Sequence, residues 1–330
     1  MSEHAKIGDG ARRSDARTSD DPRDFTAMTP VSLTLLSLFA AAFLTRLFRA
    51  ARDSTLLYAW AWSWLALTAF SVVELVASLA DVPRDADWLP PARYSAAILL
   101  FCPLMSVLGS KRPHEQAWQW IVLSLWGILV LPAIEWLVLR RGTEMEIHGV
   151  RSWFLVILIM MNALHAVGTR GAPAGFFLAL AQLIALHESL PFLGPLFERT
   201  RLHAFDAAIL QQLALGAGLA ALAGATWSVR ARPDARPLDR VWLDFRDHFG
   251  ALWALRVIER MNSAATTGRW SHRLHWTGFQ LTEVAAGDHG ESSVAESEAV
   301  AQAFWNLLRR FVSESWCQHR GWSPPGNSGG

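Results

Sequence analysis

The apolar residues of this chain come in long uninterrupted blocks, and that arrangement restricts its possible folds more than any motif does. The blocks cover residues 28–45, 55–80, 94–110, 117–139, 153–169, 171–194 and 207–229. Each reaches about 17 residues or more, the length an α-helix needs to cross the hydrocarbon core of a bilayer. Lipid offers no partner for open backbone groups, so such a chain must cross as helices. The expected fold is an all-α transmembrane helical bundle of about seven spans, covering residues 28–229. Only 18% of the residues are charged, against about 25% in ordinary soluble domains, and mean hydropathy is +0.21.

Within the blocks, Pro103, Pro132 and Pro191 are expected to kink or end the third, fourth and sixth helices. The fifth and sixth blocks are barely separated, which leaves six or eight crossings open. In the last block Gly216, Ala220 and Gly224 stand four apart beside Ala217, Ala221 and Ala225. They form either a flat stripe for close helix approach or simple alanine richness. Of the 17 tryptophans, Trp60, Trp62, Trp118, Trp120, Trp153 and Trp227 lie at block ends, where indole rings suit the headgroup level.

Both flanks are polar. Residues 1–27 mix charges without apolar periodicity and read as a disordered tail, with no export signal before the first block, which then serves as an uncleaved anchor. Residues 233–320 read as a small C-terminal α+β soluble domain, and residues 321–330 as a second loose tail. In the first part of that domain Val241, Phe245, Phe249, Leu252 and Trp253 recur at helical spacing over 238–261. Arg240 and Asp244 are spaced to pair along this helix. Residues 270–284 predict one or two short strands, with a turn at Gly278 open. Ser293 and Glu296 have capping-box spacing before a second amphipathic helix that carries Val300, Phe304, Leu307, Leu308 and Phe311.

With the N-terminus outside, the inner loops hold Arg46, Arg49, Arg52, Lys111, Arg112 and Arg170. The outer loops hold Arg84, Arg93, Arg140, Arg141, Arg151, Arg199 and Arg201, so the loops alone set no orientation. Arg230, Arg232, Arg236 and Arg240 follow the last block and favour a cytoplasmic C-terminal domain in a bacterial inner membrane.

Ionisable residues inside spans are costly and mark places to inspect. Glu74, Glu135, His187 and Glu188 lie late in even-numbered blocks, and Asp206 just before the seventh. Because successive spans are antiparallel, all five fall toward one face. Arg93, Tyr94, His148, Arg151 and His203 join them there, while Asn162 and His165 stand apart. The group reads either as a polar pocket or as ion pairs tying helix ends together, Glu135 with Arg151 first. His187, His203 and His148 share a level and keep haem b open as a cofactor; His165 and His187 fall near opposite faces. No metal site is expected.

The order Cys102, Arg151, His187 resembles the Cys, Arg, His arrangement of exosortase-like membrane transpeptidases, which would imply a thiolate nucleophile. The surroundings of Cys102, Phe-Cys-Pro-Leu-Met, depart from the small, polar run that follows the cysteine in that family. In an apolar block a thiol is expected to be inert. Residues 102–113 and 241–257 resemble uncharacterised bacterial multi-pass membrane proteins, a likeness that implies architecture and no activity.

The P-loop, GxGxxG, HExxH, EF-hand and CxxC signatures are missing, and a net charge of +1 gives no reason to expect a nucleic-acid partner. The leading expectation is a non-enzymatic component that binds a membrane protein or small ligand in the bilayer and a soluble protein through its cytoplasmic domain. A membrane enzyme or redox subunit of haem or quinone type is the alternative, and a transporter a lesser one.

Overall fold

The computed structural model describes residues 30–80, 82, 86–112, 114–139, 149–190, 207–229, 232, 234–281 and 292–325. The apolar blocks become α1 (Pro30–Ala51), α2 (Leu57–Leu79), α3 (Leu89–Leu99), α4 (Cys102–Leu108), α5 (Glu115–Leu139), α6 (Gly149–Ala166), α7 (Ala172–Ala185) and α8 (Ala207–Ser228). Beyond them lie α9 (Pro237–Thr267), a hairpin of β1 (His272–His275) and β2 (Gly278–Leu281), α10 (Ser292–Leu308) and α11 (Glu314–Gln318). His148, His203, Asp206 and Pro191, and the tail over 1–27, fall outside the described residues.

Among the described residues, six passes are long and apolar enough to cross a membrane: α1, α2, the α3–α4 pair, α5, α6 and most of α8. Their outer faces support that reading. Ile121, Ile128, Leu131 and Val138 of α5 all point outward, Val138 at 72% exposure. A belt of this kind suits lipid, not water. The sixth pass falls short of the expectation for residues 171–194. Its helix α7 has 14 residues, roughly 21 Å of rise, and gives way at the polar run His187–Ser189 to a single 3₁₀ turn.

The third pass runs through the centre, with Tyr94, Ala97, Ile98, Phe101 and Cys102 buried. Pro103 has no N–H and crowds the preceding turn, so the helix breaks at Leu100–Phe101. Gln182 Nε2 on α7 donates to the Leu100 carbonyl at 3.1 Å, and Asn162 Nδ2 on α6 donates to Gln182 Oε1 at 3.3 Å. This buried ladder satisfies what the proline opens. Pro132 does not end its helix: α5 runs on through it. Tyr94 donates its hydroxyl to the Leu129 carbonyl, one turn earlier, at 2.9 Å. Among the small residues of α8, a Cβ at Gly224 would lie 3.1 Å from Ala174 N, whereas Gly216 faces open space, so close approach to α7 occurs at Gly224.

The C-terminal segment packs onto one end of the bundle, here termed the docked end. Ser54, between α1 and α2, forms a β-bridge with Val312. Arg112 N, between α4 and α5, donates to the Arg310 carbonyl at 2.9 Å. Trp276 Nε1 reaches the Gly168 carbonyl, between α6 and α7, at 2.9 Å. Trp253 Nε1 donates to Val107 O at the end of α4, also at 2.9 Å. Seven passes place the start of α1 at the opposite, far end. The aromatic core of the segment is built on Trp242, Phe245, Phe249, Phe304, Phe311 and Trp316, and Ala51 and Leu56 of the bundle belong to the same cluster.

Three local expectations change. The first amphipathic helix is broken at Gly250 (φ 75°, ψ 178°). Asp244 accepts from Arg320 Nε at 2.9 Å, while Arg240 donates to the carbonyls of Arg320 and Ala235. Glu296 does not cap α10; its Oε1 accepts from Ser271 N and Oγ, from His272 N and from His272 Nδ1, at 2.6–3.1 Å. Burial opposes the charge of Glu296, but the bonds from His272 and Ser271 outweigh it and hold the carboxyl down at about 2. Its contribution to stability is therefore complete above pH 4.5 and fades as pH falls through about 2. We expect Glu296→Gln to cost about 1–3 kcal/mol near neutral pH and to flatten the loss of melting temperature between pH 5 and pH 2. Equal melting of the two proteins at pH 7 would contradict this.

Candidate functional site

The break in α9 organises the docked end. A helix cannot continue through φ 75°, and only glycine takes that angle at little cost. A Cβ at Gly250 would also fall on the His165 imidazole of α6, so the ring packs directly on the glycine backbone. The turn before the break carries Asp244, Arg246, Asp247 and His248.

Asp247, only 1% exposed, is the hub. It forms a close ion pair with Arg232, accepts from Arg246 Nε at 3.0 Å and Nη2 at 2.9 Å, and accepts from the backbone N–H of Arg170 at 3.2 Å. Arg246 also donates to the Trp276 carbonyl at 2.7 Å. Burial pushes the pKa of Arg232 down, against the pull of Asp247. Next to this hub, His248 Nδ1 lies 2.6 Å from the Asp244 carbonyl. A carbonyl can only accept, so Nδ1 carries the proton of the neutral ring and Nε2 is left as an acceptor. Burial, and after it the nearby Arg320 charge, push the His248 pKa down and favour that neutral form. Its Nε2 is buried and has no partner among the described residues.

Below this roof lies a cavity of about 360 Å³ inside the bundle. Leu44 of α1, Leu67 of α2, Leu104 of α4, Leu178 of α7 and Leu222 of α8 line its walls. Its polar lining gathers mostly at the docked end: Asn162, His165, Thr169 and Ser228, with Asp247 and His248 of α9; Ser63 of α2 lines it as well. Gly218 lines it too, and nothing stands within 4 Å of where its Cβ would be. An apolar chamber with a few convergent polar groups is the usual form of a small-molecule site.

Comparison with protein-family models, with curated proteins and with solved structures finds no match. The reading of this site rests on its geometry.

Of the residues singled out by the depth argument, those that are described lie at the far end, away from the cavity roof, and several meet in pairs. Arg93 clamps Glu74 with two bonds, Nε to Oε1 at 2.7 Å and Nη2 to Oε2 at 2.9 Å, both residues largely buried. Tyr94 is spent on the Leu129 carbonyl. Arg151 and Glu135 stand 3.9 Å apart and are 43% and 42% exposed. His187 Nδ1 lies 2.8 Å from the Ile184 carbonyl and its Nε2 lies 3.8 Å from Glu188. Cys102 is fully buried at the break in the third pass, 13 residues from Leu89, or roughly 20 Å along the helix from the far end where His187 sits. The arrangement suggested by the transpeptidase resemblance is therefore not assembled. Among the described residues no group of three or more His, Cys, Asp or Glu could hold a metal ion.

The sequence reading set Asn162 and His165 aside and took Asp247 and His248 for part of an amphipathic helix. Two signals pointed here. Asn162 and His165 are three apart on an otherwise apolar helix, and Gly250 interrupts the run Asp-His-Phe-Gly-Ala-Leu.

Proposed function

We propose that this protein is a multi-pass inner-membrane binding protein whose cavity holds a lipid-like amphiphile, with its C-terminal segment in the cytoplasm. The observation that carries the reading is the cavity itself: apolar walls of four or more helices, with most of its polar lining toward the docked end. An apolar body fits among the leucines, and a polar end fits beside His165 and Asn162. The roof groups are largely engaged with each other, Asp247 with three donors and Asn162 with Gln182, which favours holding over reacting. Orientation is supported by charge. Lys111, Arg112, Arg170, Arg232, Arg246, Arg309, Arg310 and Arg320 all gather at the docked end, and basic residues favour the cytoplasmic side. Because α9 is both cavity roof and core helix of the C-terminal segment, an occupant would stabilise the docking of that segment by mass action.

The test is to purify the protein in mild detergent, extract retained lipids and identify them by mass spectrometry. Gly218→Phe places a ring in the open space of the cavity. We expect this variant to melt within a few degrees of the parent and to lose at least about tenfold of the retained amphiphile. Equal retention by the folded variant would remove the cavity as the binding site.

A further inference from the structure

A second basin, of about 610 Å³, opens at the docked end between the α4–α5 connection and the end of α10. Lys111, Arg112 and His114 line it from the connection, Arg309 and Arg310 from the C-terminal segment, and Trp118 from the first turns of α5. The two basic runs are nearly 200 positions apart in the chain and are held together by the bond from Arg112 N to the Arg310 carbonyl. Four permanent cations and a histidine thus converge on one space. Among the described residues no carboxylate lines it; Glu115 Oε2, 3.9 Å from Arg112 Nε, offsets one charge. Like charges brought together without counter-charge repel, and folding that gathers them is favoured by an anion between them.

We propose that this basin binds the phosphate headgroup of an anionic membrane phospholipid, which joins the C-terminal segment to the bundle at the membrane surface. Three observations select a lipid over a soluble anion. The basin lies at the end of two membrane-length passes, the α3–α4 pair and α5, where headgroups sit. Trp118 forms its wall, with its indole laid over Gly109 and its Nε1 donating to the Met105 carbonyl at 2.7 Å, and Trp120 beside it is outward-facing. Tryptophan in that position marks the interfacial layer. Lys111, Arg309 and Arg310 are exposed, so the cations are free to reach a headgroup at the bilayer surface. The site is independent of the cavity and of what the cavity holds.

The experiment compares the full chain in nanodiscs of phosphatidylcholine with nanodiscs containing phosphatidylglycerol, by thermal melting and by native mass spectrometry of retained lipid. The expected result is a higher melting temperature with phosphatidylglycerol, lost in high salt, and at least one retained anionic lipid. The triple variant Lys111→Gln, Arg309→Gln, Arg310→Gln should bind that lipid about a hundredfold more weakly, since each surface cation contributes roughly tenfold or less. These side chains are exposed, so the variant should still melt cooperatively in phosphatidylcholine. If it does not, Lys111→Gln alone, with an expected loss of about fivefold, gives the same readout. Equal melting of the native chain in both lipids would overturn the proposal. So would equal lipid retention by the variants. Stabilisation in phosphatidylcholine nanodiscs by inorganic phosphate at millimolar concentration, matching that by phosphatidylglycerol, would assign the basin to a soluble anion and overturn the lipid reading.

Discussion

Replacing Gly250 with alanine is expected to destabilise the protein by about 2–5 kcal/mol and to loosen the C-terminal segment from the bundle. Two independent costs add. At φ 75° a β-carbon meets the neighbouring carbonyl, which costs about 1–2 kcal/mol for an ordinary residue. The same β-carbon would overlap the His165 ring, and forcing extra volume into a packed site costs about 1–3 kcal/mol. The two are separable. Gly250→Ala with His165→Ala removes the overlap and leaves the backbone strain, so it should recover part of the loss relative to Gly250→Ala with an additive His165→Ala. Thermal melting in detergent or nanodiscs reads the stability, and limited proteolysis between α8 and α9 reads the docking. If Gly250→Ala melts within a degree of the parent and resists protease equally, the break is incidental to the interface.

The helices were legible because the apolar blocks match the thickness of a bilayer, and that length is a property of sequence alone. The pass through α7 shows the limit. Residues 171–194 carry enough hydropathy for a span, yet the helix ends at Ala185, since an apolar average takes no account of the polar run His187–Ser189. The break at Gly250 was hidden for a related reason. Val241, Phe245 and Phe249 before it and Trp253 after it keep helical spacing across it, so the stripe reads as continuous while the axis does not. The depth of Glu74, Glu135 and His187 could be derived from antiparallel succession. Their partners could not, because partner choice depends on how each helix is rotated: Arg93 meets Glu74 in a tight fork, whereas Arg151 only reaches the edge of Glu135. The cavity was the least legible feature. The glycines of α8 look alike in sequence, yet Gly224 packs on Ala174 and Gly218 borders empty space. That difference arises from where six helices leave a gap.

Removing the carboxylate at the hub of the roof should have the other large effect. Asp247→Asn is expected to cost about 3–5 kcal/mol, because Arg232 and Arg246 would remain buried without their paired carboxylate, the nearby Asp244 being engaged by Arg320. An amide can still accept one bond from a guanidinium but cannot balance two cations in a site closed to water. The control is Glu135→Gln at the far end. Its pair with Arg151 is half-exposed and stands at 3.9 Å, and pairs of that kind contribute about 0–1 kcal/mol. The roof should also show the asymmetry of buried ion pairs. Adding Arg232→Met to Asp247→Asn removes one stranded charge and should recover part of the loss, even though it deletes a further native contact. Because the same group holds the Arg170 backbone between α6 and α7, Asp247→Asn should also expose the C-terminal segment to protease before the bundle itself melts. Should Asp247→Asn melt no lower than Glu135→Gln, the arginines at the roof must be solvated or otherwise neutralised, and the docked end would not be held by this hub.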